Sequence, residues 1–150
     1  MNVILYLSLL LSCCLYAGVR GGLPERIGVA ILLTAVLASQ VMPRIAFQGF
    51  KTIETGLLVV DATMFVCVVI LALHAQRYWP MWMAAVLLNT VVTHLLMLSP
   101  ALWPWSYSVA NAAWSYPNPI ILAIAAWRHR ARVQRYGEDP PWNRPLPSGG

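Results

Sequence analysis

The sequence predicts an all-α integral membrane bundle of about five transmembrane helices, and three observations carry that expectation. Hydrophobic residues make up 59% of the 150-residue chain and charged ones only 10%, whereas soluble domains are about a quarter charged. The apolar residues gather into runs of about 20, the length that takes a helix across about 30 Å of hydrocarbon at 1.5 Å per residue. The strict apolar/polar alternation of barrel strands is absent, and lipid gives backbone N–H and C=O groups no partner outside a helix or a closed barrel.

The first span, about residues 2–18, ends at the Gly-rich "GVRGG". The second, about 24–42, opens on Pro24, whose fixed φ and missing N–H suit a first helical turn, and is expected to stop at Pro43. After the polar connection "RIAFQGFKTIE" comes the third, about 52–76. The fourth, about 79–98, opens at "YWPMW" with Pro80 in its first turn and ends before Pro100. The fifth, about 105–135, contains "SYPNPI" and is expected to break at Pro117 and Pro119, which cannot donate to the carbonyls one turn earlier. The chain thus divides into a transmembrane helical domain, 1–136, and a Pro- and Gly-rich polar tail, 137–150, expected to be disordered.

With five spans and a cytoplasmic C-terminus, Arg20, Arg26, Arg77, Arg128, Arg130, Arg132, Arg135 and Arg144 fall inside, and only Arg44 and Lys51 fall outside. That asymmetry is what the positive-inside rule requires, and it puts the N-terminus outside. Aromatic residues fit the same boundaries, with Tyr78, Trp79 and Trp127 at the inner one and Trp103 and Trp105 at the outer one. The net charge of +5 then reads as a topology signal plus attraction to anionic lipid. The run "RHRARVQR", with Arg128, Arg130, Arg132 and Arg135, is expected to meet the membrane surface rather than nucleic acid.

Cys13 and Cys14 stand side by side in the first span. A lipoprotein cleavage box is disfavoured because Met1, Asn2 and Val3 supply no positive n-region, so the first span is read as uncleaved. The stretch "LLSCCLYAG" resembles the vicinal cysteine pair in the first helix of small bacterial mercuric-ion transport proteins, and that resemblance implies soft-metal transfer through two thiolates. The chain departs from the pattern. Leu15 and Tyr16 follow the pair where that family has Gly-Pro, and a second pair is missing because Cys67 stands alone. Adjacent helical residues also point about 100° apart, so packing is the simpler role for both thiols, with metal transfer as the alternative.

Asp61, in "LLVVDATMF", is the polar residue that most needs explaining, since a carboxylate inside a span costs about 2.5–3.5 kcal/mol on insertion scales. The third span runs outside to inside, which puts Asp61 about 12 Å below the outer boundary. On the returning fourth span Asn89 and Thr90 reach the same level, with His94 one turn nearer the surface; on the fifth, Asn111 does. Thr90 and His94 share a face at i,i+4, while Asn89 is turned from His94 by about 140°. An Asp61–His94 or Asp61–Thr90 contact is expected, serving either as glue between helices or as a proton, ion or substrate site. The broken fifth helix adds to the second reading, because carriers build sites from interrupted helices. The second span also carries small residues at Ala30, Thr34 and Ala38, a stripe that permits close helix packing.

There is no phosphate loop, no His-Glu-x-x-His and no serine nucleophile with a base, so no enzyme chemistry and no cofactor are expected. The segments "LPERIG", "RYWPMW" and "WRHR" give the chain a resemblance to small uncharacterised integral membrane proteins of alphaproteobacteria. The resemblance implies a bacterial inner membrane location and no particular activity. The first functional expectation is therefore an accessory or assembly subunit of a membrane complex, or a homo-oligomer, with the bilayer and other membrane subunits or itself as partners. The alternative is a small ion-coupled transporter or channel using Asp61, His94 and Asn111.

Overall fold

The structure is a computed structural model and describes residues 3–45, 49–75, 77–96 and 114–137. Among the described residues there is no strand, and five helices follow one another: α1 (Val3–Arg20), α2 (Leu23–Ile45), α3 (Gly49–His74), α4 (Trp79–Leu96) and α5 (Pro117–Tyr136). Two of them contain stretches long and apolar enough to cross a membrane, Leu23–Val41 in α2 and Thr55–His74 in α3, and Ile4–Arg20 is a shorter apolar helix.

The helix ends follow local rules. Gly22 precedes α2, and Glu25 three residues on turns its Oε2 back to accept the Gly22 N–H at 3.0 Å, which is half of a capping box. Pro43 does not end α2, which continues to Ile45; a proline in a last turn forfeits only one hydrogen bond, so the helix outlasts it. α5 starts at Pro117 with no side-chain cap and ends at Gly137, whose φ of 76° lets its N–H reach the Val133 carbonyl at 2.9 Å. The two prolines thus define a helix start, with Trp114 and Ser115 helical just before the turn at Tyr116. The outer part of the expected fifth span, 105–113, lies outside the described residues, as do Trp103, Asn111 and the tail beyond Gly137.

Packing closes the bundle into a ring. α3 packs mainly on α4 and α2, α1 on α5, and the ring is completed by α4 against α5 and α1 against α2. The core between them is apolar: Leu10, Cys14 and Ala17 of α1, Leu32 of α2, Met64, Val68 and Leu71 of α3, Met83 and Leu87 of α4, and Leu122, Ala125 and Ala126 of α5. Tyr6 meets Tyr116 edge to face at 5.5 Å at one end, while Val19 and Arg20 share a pocket with His129 and Arg130 at the other. α1 and α5 are therefore parallel.

At Gly28 α2 comes close to α4 and α5. A Cβ there would stand 2.6 Å from Trp79 Cη2 and 3.0 Å from Leu122 Cδ1. Neither the indole ring nor the α5 core position has room to yield, so Gly28→Ala is expected to destabilise the bundle by about 1–3 kcal/mol. Thermal unfolding in mild detergent measures it; a variant as stable as wild type would show that α2 can move away from α4 and α5 without loss.

Candidate functional site

Only four polar or charged residues are buried among those described: Glu25, Thr90, His94 and Asn118. They fall at the two ends of the bundle. At the α3–α4 end, His94 Nε2 lies 2.9 Å from Asp61 Oδ2 across 33 residues of sequence. When the carboxylate is ionised it only accepts, and the imidazole nitrogen facing it is then the donor. The His94 side chain is 2% exposed and that of Asp61 is 23% exposed. One member of the pair is therefore sealed in the bundle, and the other borders open space.

That space is a cavity of ≈ 180 Å³, large enough for several waters or one small hydrated ion. Asp61, Thr90, Tyr6, Ser39, Ser115 and Asn118 border it, with Met64 and Leu87 on its apolar side. Thr90 is buried, and its hydroxyl bonds weakly back to the Val86 carbonyl at 3.4 Å. Asn118 is buried too, and its Oδ1 has no hydrogen-bond partner. Pro117 and Pro119 flank it and carry no N–H, so the first turn of α5 brings few donors to the cavity wall. The wall mixes hydroxyls and the amides of Gln40 and Asn118, which donate as well as accept, with one acidic group, Asp61, and that carboxylate is what suits a proton or a hard cation rather than an anion.

Of the residues expected from the sequence, Asp61, His94 and Thr90 come together as the depth estimate places them. Asn89 does not join them: it is exposed and donates from Nδ2 to its own helix at the Ala85 carbonyl, 3.0 Å away. Its position about 140° around α4 from His94 turns it to the outside. Asn111 lies outside the described residues. Cys14 packs in the core and Cys13 is half-buried, both as free thiols. No group of three or more His, Cys, Asp or Glu able to hold a metal occurs among the described residues. Arg128 and Arg135 are exposed at the far end of α5, with Arg130 and Arg132 partly covered.

Comparison of the chain with protein-family models, with curated proteins and with solved structures finds no match. Its functional reading therefore rests on its own geometry.

At the opposite end sits a cluster that the sequence reading passed over. Glu25 is 1% exposed, and its Oε1 accepts the Trp79 indole N–H at 2.9 Å while Oε2 holds the Gly22 N–H. His129 closes over it, since a Cβ on Gly22 would stand 2.8 Å from His129 Cε1 and 3.1 Å from Glu25 Oε2. Trp79, expected at a membrane boundary, is buried in this cluster, while Trp82, Trp114 and Trp127 are exposed. Glycine at the helix N-cap with glutamate three residues later was the available signal for Glu25.

Proposed function

We propose that the chain is a multi-pass protein of the bacterial inner membrane that moves protons or small cations through a site built on Asp61 and His94. The observation that carries the proposal is the 2.9 Å Asp61–His94 contact bordering a partly polar cavity. With a neutral imidazole the pair is a single net anion; uptake of one proton neutralises it, and so does a cation beside Asp61. Alternation between those states is the elementary step of ion-coupled carriage, and polar pairs of this kind inside apolar bundles commonly serve it.

Support for the membrane comes from the outside of the bundle. Leu11 and Leu15 of α1, Leu37 of α2, Ile70 and Leu73 of α3, Leu88 and Val92 of α4, and Ile120 and Ile124 of α5 are all exposed. In water such a surface would drive aggregation, whereas in lipid it is the surface a bundle needs. Charge separates along the same axis. Arg20, Arg26, Arg77, Arg128, Arg130, Arg132 and Arg135 lie towards the Glu25 end, and Arg44 and Lys51 lie on the helix ends nearest Asp61. That supports a cytoplasmic Glu25 end and an Asp61 cavity facing outward.

The test is proton flux in proteoliposomes carrying an internal pH dye, with wild type and Asp61→Asn reconstituted at equal density. Asp61→Asn is expected to elute at the wild-type position in detergent yet lose about a hundredfold of the flux, the contribution typical of a positioned proton-transfer group. Equal flux in both proteins would overturn the transport reading.

A second reading, a subunit of a larger membrane assembly or of a homo-oligomer, is favoured by one separate observation. The small-residue stripe of Ala30, Thr34 and Ala38 lines an outward groove between α2 and α3, with Val59, Thr63 and Cys67 on its far wall. Small residues let helices approach closely in lipid. Ala30→Leu with Ala38→Leu is expected to shift the protein to a smaller species on a native gel of mild-detergent extracts. An unchanged band would remove this interface.

A further inference from the structure

We infer that the cytoplasmic-end pocket between α1 and α5 is a binding site for the phosphate head of an anionic phospholipid. The inference rests on the membrane reading above. It does not depend on transport.

Six residues line the pocket: Val19 and Arg20 from the last turn of α1, and His129, Arg130, Val133 and Gln134 from α5. Its volume is ≈ 390 Å³. An arginine from each of two helices, Arg20 and Arg130, lines it, and no carboxylate ion pair of either occurs among the described residues. Guanidinium is the side-chain group best matched to phosphate, through paired N–H donors in a fixed fork. The Gln134 amide adds a neutral donor. The last turn of α1 leaves carbonyl oxygens facing this end, a field that disfavours an anion unless a cation stands before it. Arg20 is that cation.

The apolar part of the pocket selects a lipid over a free phosphate. Leu11, Leu15 and Val19 recur every four residues on α1 and are 61%, 71% and 62% exposed, so they form one continuous outward strip. The strip ends in the pocket at Val19, and Val133 flanks it from α5. A phosphate held by Arg20 and Arg130 thus leaves its acyl chain lying along α1, towards mid-membrane. Inorganic phosphate would use the guanidiniums alone and leave the strip uncovered.

The experiment uses the full chain in mild detergent and reads the binding of fluorescent phosphatidylglycerol and phosphatidylcholine by anisotropy. Three proteins are compared: wild type, Arg20→Gln/Arg130→Gln, and Arg128→Gln/Arg135→Gln, which loses the same charge outside the pocket. Each charge-assisted hydrogen bond to the phosphate contributes about tenfold to affinity, so the pocket variant is expected to lose about a hundredfold for phosphatidylglycerol. The control variant should keep most of its affinity, and Val19→Ser should weaken lipid binding with both arginines in place. Equal losses in the two double variants would overturn the site in favour of diffuse surface charge, and so would equal binding of the two lipids by wild type. Displacement of the phosphatidylglycerol by millimolar inorganic phosphate would reassign the pocket to free phosphate. Alkaline carbonate extraction of wild-type membranes separates failure of the site from failure of the membrane reading: a chain released by carbonate is not integral, whatever it binds.

Discussion

Glu25→Ala is expected to destabilise the bundle by about 2–4 kcal/mol, because it strips one buried and one part-buried donor of their acceptor at once. The Trp79 indole N–H is buried 2.9 Å from Oε1, and the part-buried Gly22 N–H lies 3.0 Å from Oε2. The carboxylate ties α2 to the start of α4, so its loss also loosens the seat of Trp79 against Gly28 and Leu122. Glu25→Gln keeps one acceptor oxygen and should lose only about 1 kcal/mol. Trp79→Phe removes the indole donor, and its effect should shrink in the Glu25→Ala background, the signature of a shared contact. Unfolding by denaturant in detergent reads all four proteins. Equal stability of Glu25→Ala and Glu25→Gln would show that the hydrogen bonds contribute nothing.

His94→Leu strands a carboxylate in the bundle and is expected to lower stability by about 2–3 kcal/mol, below the usual range for a fully buried pair because Asp61 keeps contact with its cavity. The more telling result concerns Asp61→Asn in the His94→Leu background. Removing the stranded charge should recover part of the loss, so the double variant ought to be more stable than His94→Leu alone. Were the two no better together than apart, the 2.9 Å contact would not couple α3 to α4. Read with the flux assay, this separates a site residue from a fastener: Asp61→Asn alone abolishes flux in the first case, and only weakens the fold in the second.

The Asp61–His94 contact was legible in the sequence because it needs only two quantities, the rise of a helix and the alternating direction of successive spans. Those set the expected levels, with Thr90 level with Asp61 and His94 one turn away, within reach of a side-chain contact. Rotation about the helix axis then excludes Asn89, which depth alone admits. Glu25 was harder to see. A glutamate three residues after a glycine reads as a cap at a helix start, and nothing local says that a tryptophan 54 residues away will bury it. The role of Trp79 was hidden for the same reason, since an aromatic beside a basic loop does not announce its buried carboxylate partner. Asn118 was hidden inside "YPNP", where the prolines draw attention to backbone breakage. Their effect here is to begin α5 and set the asparagine against the cavity. The parallel run of α1 against α5, which brings Tyr6 to one cluster and Arg20 to the other, depends on ring closure, and no short stretch of sequence encodes that.

The apolar stack between the two polar ends constrains how anything could move through this protein. From the Asp61 cavity towards Glu25 the core presents Met64, Val68, Met83, Leu87 and Leu122, all at most 5% exposed, and no described carboxylate or imidazole interrupts them. On the proposed transport reading, a proton or ion that reached Asp61 would stand at a dead end. Onward passage waits on thermal rearrangement of those side chains, so throughput should level off as the driving gradient steepens and fall sharply on cooling. An open, ohmic conduit would do neither.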